Sequence, residues 1–412
     1  MARRTLNVYL RDHLVGQLIQ DEHGQISFVY SHYWLHHPET THLSHSLPLR
    51  EEPFSRNECR GFFAGVLPEE EKREIIARNL GISARNDFAM LEQLGGECAG
   101  AVTLIRPGVD LPSSAAGSYQ ELSSSELLEI LRALPKRPLL AGDTGIRLSL
   151  AGAQDKIAVR VNGDRISIPK NGAASTHIIK PAITRFPGLV ENEAFCMKLA
   201  AAVGLSVAEV SVGEIEDIKF LLVRRFDRTI NENGVIARIH QEDICQALGY
   251  PPEHKYQSEG GPGLKECFKL IRATSNNPAA DLKALLEALI FNLIIGNNDA
   301  HAKNFSIIHH QNNTTRLAPL YDLICTAAHP ELTPKMAMKI GKAAIFDQIY
   351  PREIDRLADE CGLNRTLTRE RLTNLAHTIE LATKTLRSTL NYGADIADLI
   401  VSRCEAIIER FQ

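Results

Sequence analysis

No two of the eight cysteines in this 412-residue chain are close enough to form a Cys-x-x-Cys pair: Cys59, Cys98, Cys196, Cys245, Cys267, Cys325, Cys361 and Cys404 are spread along its length. That spacing argues against a zinc ribbon or a disulfide framework and points to a reducing cytoplasm. Long apolar runs are missing too. The longest mostly apolar stretch, 288–296, is too short to span a bilayer. The start, Met1-Ala2-Arg3-Arg4-Thr5, leads into alternating Leu6, Val8 and Leu10 rather than the apolar core of an export signal, so no membrane association is expected. Nor is there a basic excess: 46 Lys and Arg against 50 Asp and Glu leave a net charge of −4, so any DNA contact must be a local patch. What is present, 44% apolar and 23% charged residues, is enough to build the cores of two or three domains or of one bilobal unit.

The chain starts β-rich. Leu6, Val8 and Leu10, then Ile26, Phe28 and Tyr30, alternate on either side of a turn-forming His23-Gly24. Residues 69–94 carry a helical pattern, and 107–125, rich in Pro, Ser, Gly and Ala, reads as a linker. The clearest hairpin signal follows: Ile157, Val159 and Val161 alternate, Asn162-Gly163 offers two residues that tolerate positive φ, and Ile166 and Ile168 alternate on the return. A further strand, Thr176 to Lys180, precedes a helix over 190–203 that ends at Gly204. After Arg228 the pattern is mainly helical. Asn277 and Pro278 start a helix that carries Leu282, Leu285, Leu286, Leu289, Ile290, Leu293 and Ile294 and stops at Gly296, and two amphipathic helices close the chain. The expected division is 1–110, a β-rich N-terminal subdomain; 111–228, the rest of an N-lobe; and 229–412, a helical C-lobe.

The polar loop after that core helix holds Asp299 and Asn304 in an Asp-x4-Asn spacing, and Asp322 lies eighteen residues beyond Asn304. This resembles the spacing of a kinase catalytic loop. Phosphoryl transfer gives each of these residues a reason to be there. One carboxylate orients the acceptor hydroxyl and takes its proton, while an Asn and a second Asp hold Mg²⁺ through hard oxygens. A lysine must also neutralise phosphate charge. Lys180 ends a strand and precedes a helix carrying Glu191 and Glu193, either of which could pair with it. Ahead of the hairpin, Ser149 to Lys156 forms a loop of small residues whose N–H groups could approach phosphates. The stretch Phe220 to Arg228 sits where a hinge would receive adenine through backbone groups.

Taken together, Ser149-Leu150-Ala151-Gly152-Ala153-Gln154-Asp155-Lys156, Thr176-His177-Ile178-Ile179-Lys180, Arg225-Phe226-Asp227-Arg228, Gln241-Glu242-Asp243, Gly260-Gly261-Pro262-Gly263, the segment Asp299 to Ser306 and Tyr321-Asp322 resemble the HipA-type toxin kinases of bacterial toxin–antitoxin systems. The likeness extends to Leu43 to Leu49, Gly100 to Leu104 and Ile349 to Arg352, and so covers most of the chain. It implies an α+β, bilobal protein-kinase-like fold with a β-rich N-terminal lobe and a mainly α-helical C-terminal lobe. It implies an ATP- and Mg²⁺-dependent serine/threonine kinase that modifies an aminoacyl-tRNA synthetase, typically the glutamyl enzyme, and a HipB-like helix-turn-helix antitoxin as partner. By the same resemblance, Asp299 is the catalytic base. Ala151, Gly152, Ala153, Gln154, Asp155, Lys156 and Lys180 bind ATP phosphates, and Arg224, Arg225 and Phe226 form the hinge. His301, Ala302, Lys303, Asn304, Tyr321 and Asp322 complete the ATP and metal positions, and Ser149 is the autophosphorylated serine.

Two positions depart from the family pattern. Ala300 replaces a Gly, a small change for the loop, and Asp359-Glu360-Cys361-Gly362 stands where basic residues would face DNA, so DNA contact is expected to be indirect or weak. A catalytically silent co-repressor that only binds an antitoxin, and a small-molecule phosphotransferase, are the competing readings. Retention of Lys180, Asp299, Asn304 and Asp322 favours an active kinase.

Overall fold

Alternation at the N-terminus produces a sheet. In β1 (Arg4–Leu10) the residues Leu6, Val8 and Leu10 are buried, and β1 pairs antiparallel with β2 (His13–Gln20). With β3 (Ile26–Tyr30) and β4 (Val102–Ile105) the order is β3-β2-β1-β4. The sequence pattern placed strands only on either side of His23-Gly24, and the structure adds β2. Asp21 Oδ1 accepts from the N–H groups of His23 and Gln25, and Gly24 takes a φ of 82°, which closes the β2–β3 turn. The helical stretch expected over 69–94 is two helices, Glu70–Leu80 and Asp87–Leu94, because Gly81 adopts φ 66° and ends the first.

A second sheet has the order β5-β7-β6-β8-β10-β9, with β5 (Ser118–Glu121), β6 (Ile157–Asn162), β7 (Arg165–Lys170), β8 (His177–Pro181), β9 (Val210–Ile215) and β10 (Ile218–Arg224). The β6–β7 hairpin is present with its tip shifted by one residue. Asn162 pairs with Arg165, so the loop is Gly163-Asp164, and only Gly163 has a positive φ, 58°. Interior to this sheet, β8 pairs with both β6 and β10, which sets Lys180 opposite Leu221.

The structure is a computed structural model that describes residues 3–111, 117–310 and 314–412; the first two residues and 112–116 of the expected linker lie outside the described residues. The chain forms two compact units: Met1–Pro181, Gly213–Pro252 and Ile308–Asn313 make one, and Ala182–Val212, Glu253–Ile307 and Thr314–Gln412 make the other. They do not follow a single cut at 228/229. The Leu189–Ala202 helix belongs with the second unit, where Asn192 bonds the backbone of Cys325 in both directions, at 3.0 and 2.8 Å. Segment 229–252 belongs with the first, partly because Arg238 joins a buried ion cluster there. In the second unit, the Pro278–Ile295 helix is buried along most of its length and packs against the Leu264–Thr274, Arg365–Thr389 and Ala394–Phe411 helices. All eight cysteines are free and buried, and among the described residues no helix is long and apolar enough to cross a membrane.

Candidate active site

The end of the core helix fixes the polar loop. Gly296 takes φ 77°, and a Cβ there would lie 2.7 Å from the Ala327 Cβ, so only glycine lets the chain turn here. Arg403 donates to the carbonyl oxygens of Leu293 and Ile294 at 2.7 and 2.9 Å, which satisfies the last turn of the helix and sets a cation at its negative end. Burial lowers the Arg403 pKa to about 10. Asn297 then donates to Asn292 Oδ1 at 2.8 Å and to the Asp322 carbonyl at 3.3 Å, so one amide ties the loop to the segment carrying the second aspartate.

On that frame Asp299 is exposed, and its Oδ1 accepts a hydrogen bond from Tyr256 Oη at 2.8 Å. The Tyr256 ring meets His301 edge-on at 5.4 Å. Asn304 donates from Nδ2 to the Asp299 carbonyl at 3.2 Å, a bond that does not use its Oδ1. His301, Ala302 and Lys303 are buried, and Tyr321 donates to the Lys303 carbonyl at 2.8 Å while accepting from Ser306. Asp322 has φ 58°, a left-handed conformation that is uncommon outside glycine and concentrates where a side chain must be aimed. Among the described residues no group of three or more His, Cys, Asp and Glu side chains is arranged to hold a metal. The hard oxygens of Asn304 and Asp322 fit an ion that keeps water and phosphate ligands, as Mg²⁺ does. The second unit thus brings together Asp299, His301 to Asn304, Tyr321 and Asp322.

The first unit holds the remaining positions. Lys180 is buried on β8. Of the two acids left open on the Leu189–Ala202 helix of the second unit, Glu193 is buried and Glu191 half-buried. Loop 151–156 is curled on itself: Lys156 Nζ donates to the Ala151 carbonyl at 2.9 Å, and Gly152, at φ 103°, passes so close that a Cβ would sit 2.7 Å from that Nζ. Ser149 is fully buried, its Oγ donating to the Val66 carbonyl at 2.8 Å and its N–H to the Glu97 carbonyl at 2.9 Å.

Of the residues expected to form the hinge, Arg224 is exposed and Phe226 half-buried, but the Arg225 guanidinium is committed elsewhere. It reaches Asp227 at 2.7 Å and the Cys98 carbonyl at 2.9 Å, within a buried cluster where Arg228 and Arg238 reach Glu97 at 2.9 and 2.7 Å. Its backbone N–H also donates to the Thr176 carbonyl at 2.9 Å, so neither the Arg225 side chain nor its N–H is open to a nucleotide. Burial alone would raise the Glu97 pKa, but Arg228, Arg238 and Arg225 outweigh it and hold the carboxyl at about 2. Tyr256, Asn297, Arg403 and Glu97 escape sequence reading, since their partners lie far along the chain or in the loop's own backbone.

Two family models match: the HipA N-terminal domain over residues 6–105 and the HipA-like C-terminal domain over residues 148–383. The chain belongs to the HipA family. The serine/threonine-protein kinase toxin HipA of Shewanella oneidensis is 30% identical over 390 residues, covering 92% of this chain and 88% of that one. The kinase candidate Y4mE of Sinorhizobium fredii is 49% identical over 402 residues, covering 96% and 95%. HipA of Shewanella oneidensis, solved with HipB and its operator DNA, matches with a TM-score of 0.86 at 28% identity and covers 98% of each chain. The fold is accordingly the bilobal, kinase-like α+β fold of HipA. The family's two domains meet this sequence on either side of 106–147, and the loop starting at Ser149 opens the C-terminal one.

Proposed function

We propose that this HipA-family chain is an ATP- and Mg²⁺-dependent serine/threonine protein kinase. The observation that carries the reading is the loop after the core helix: an exposed Asp299 steadied by Tyr256, with Asn304 hung on its backbone and Asp322 held in a left-handed conformation. Asp299 orients the acceptor hydroxyl and takes its proton, as a base within hydrogen-bond reach can. Asn304 and Asp322 would hold Mg²⁺, which when bound shields the phosphate charge. Lys180 and loop 151–156 bind phosphates, and the adenine meets the backbone of 224–226 through groups other than the Arg225 N–H, which Thr176 holds. The Shewanella relative is solved with HipB and its operator DNA; the partner of this chain is likewise a HipB-like helix-turn-helix antitoxin, and its own DNA contact is indirect or weak. The protein substrate is an aminoacyl-tRNA synthetase, the glutamyl enzyme first.

Incubation with γ-labelled ATP, Mg²⁺ and bacterial lysate tests the reading: label should pass to this chain and to a synthetase. Absence of any transfer would leave a kinase-fold co-repressor instead.

Ser149 is the proposed autophosphorylation site, and its burial makes the consequence specific. Phosphorylation removes the hydroxyl donor that meets the Val66 carbonyl and adds about −1.5 to −2 charge, which a closed site facing a carbonyl oxygen cannot hold. The modified loop therefore stays out, and ATP affinity falls by about tenfold or more. Mass spectrometry followed by nucleotide titration checks this: an unmodified Ser149, or a modified chain that binds ATP as before, contradicts it.

A further inference from the structure

Loop 151–156 is an unusual place for a carboxylate, because it is where the kinase reading brings the phosphates of ATP. Asp155 is nevertheless buried there. Its Oδ2 lies 2.8 Å from Lys72 Nζ, while its Oδ1 is buried with no hydrogen-bond partner among the described residues. Lys72 is 83 residues away in sequence and belongs to the other family domain, on the Glu70–Leu80 helix. It stands one turn before Ile76, which is fully buried, so both side chains leave the inward face of that helix. The same stretch grips the loop by its backbone. Pro68 bridges Gly152 in parallel fashion, Glu69 N–H donates to the Gly152 carbonyl at 3.3 Å, and the Val66 carbonyl takes the Ser149 hydroxyl.

We propose that Lys72, in the N-terminal HipA domain, is a positioning residue for nucleotide binding: it neutralises Asp155 and pins the phosphate loop against residues 66–72. The inference rests on the kinase reading of this loop. Without the ammonium, a buried carboxylate would face the triphosphate as a like charge, weakly screened because it is enclosed. With it, the buried Asp155 carboxylate is answered by an ammonium from outside the loop, while the loop's own Lys156 stays on the Ala151 carbonyl. The N-terminal domain thereby sets ATP affinity without touching ATP.

Steady-state kinetics on the full chain test this, with Lys72→Met, Lys72→Arg, Asp155→Asn and the double variant Lys72→Met/Asp155→Asn. Lys72→Met should raise KM for ATP about tenfold or more, because the buried Asp155 carboxylate loses the ammonium paired with it. Its kcat should stay within about threefold, since the catalytic loop is untouched. Lys72→Arg should stay near the wild-type KM, and Lys72→Met should change KM little when added to Asp155→Asn, whatever Asp155→Asn costs by itself, which a purely packing role for Lys72 would not allow. Hydrogen exchange at the amides of 149–156, followed without nucleotide, should quicken in Lys72→Met. ATP turnover with an unchanged KM in Lys72→Met, or a tenfold loss from Lys72→Met that persists on the Asp155→Asn background, overturns the role of Lys72 alone. Wild-type protein that neither binds nor cleaves ATP overturns the kinase reading and this role with it.

Discussion

Asp299→Asn is expected to lower the rate of phosphoryl transfer by about 10²-fold or more, the contribution of a positioned base. The substitution keeps the shape of the side chain and removes its ability to take a proton. Folding should be spared. Asp299 is exposed, an Asn oxygen can still accept from Tyr256, and the bonds that hold this loop to Asn297 and Asn304 use the Asp299 backbone. Thermal unfolding of the variant should therefore match the wild type while transfer from labelled ATP is lost. Near wild-type transfer would mean that another group takes the proton. Tyr256→Phe gives a graded companion, since it removes the bond that aims Asp299 but not the carboxylate.

Glu97→Gln is expected to cost about 3–5 kcal/mol of stability, the range for breaking one partner out of a buried ionic group. Three arginines, 225, 228 and 238, surround two carboxylates, Glu97 and Asp227, and Glu97 is 2% exposed. Removing one anion leaves a single buried carboxylate to face three guanidinium groups. Denaturant unfolding reads the loss directly, and an unchanged midpoint would contradict the account.

The same cluster predicts acid sensitivity. Glu97 has a folded pKa of about 2 against an ordinary 4.5, so its contribution is complete above 4.5 and lost as pH falls toward 2. Burial pushes His240 down to about 3 from 6.5, against the raising effect of its bond to the Leu43 carbonyl. It stays neutral in the fold while the unfolded chain takes up its proton, so stability also falls as pH drops from 6.5 toward 3. Wild-type stability should therefore decline below about pH 6.5 and more steeply below about 4.5. In Glu97→Gln the lower part of that decline should be shallower.

Local chemistry explains what was legible in the sequence. The core helix announced itself through Asn277, Pro278 and Gly296, and the loop after it through polar residues on an apolar frame. The spacing of Asp299 and Asn304 is covalent, so it could be read before the fold was known. The hairpin was legible as a hairpin but not in register, since Asn162-Gly163 and Gly163-Asp164 are equally good turns and strand pairing decides between them. The β2 strand was passed over because the turn signal at His23-Gly24 drew the strands to either side. Long-range pairing was not legible at all. Nothing local links Lys72 to Asp155, Arg403 to the end of the core helix, or Glu97 to three arginines more than 120 residues on. The burial of Ser149 has the same origin: its partner at Val66 is 83 residues earlier.

The most direct test of the account is a structure of the full chain with Mg²⁺ and a non-hydrolysable ATP analogue. The account predicts a metal ion held by Asn304 Oδ1 and the Asp322 carboxylate and bound to phosphate oxygens, with Asp299 open to an acceptor hydroxyl. A nucleotide whose metal touches neither Asn304 nor Asp322 would contradict it.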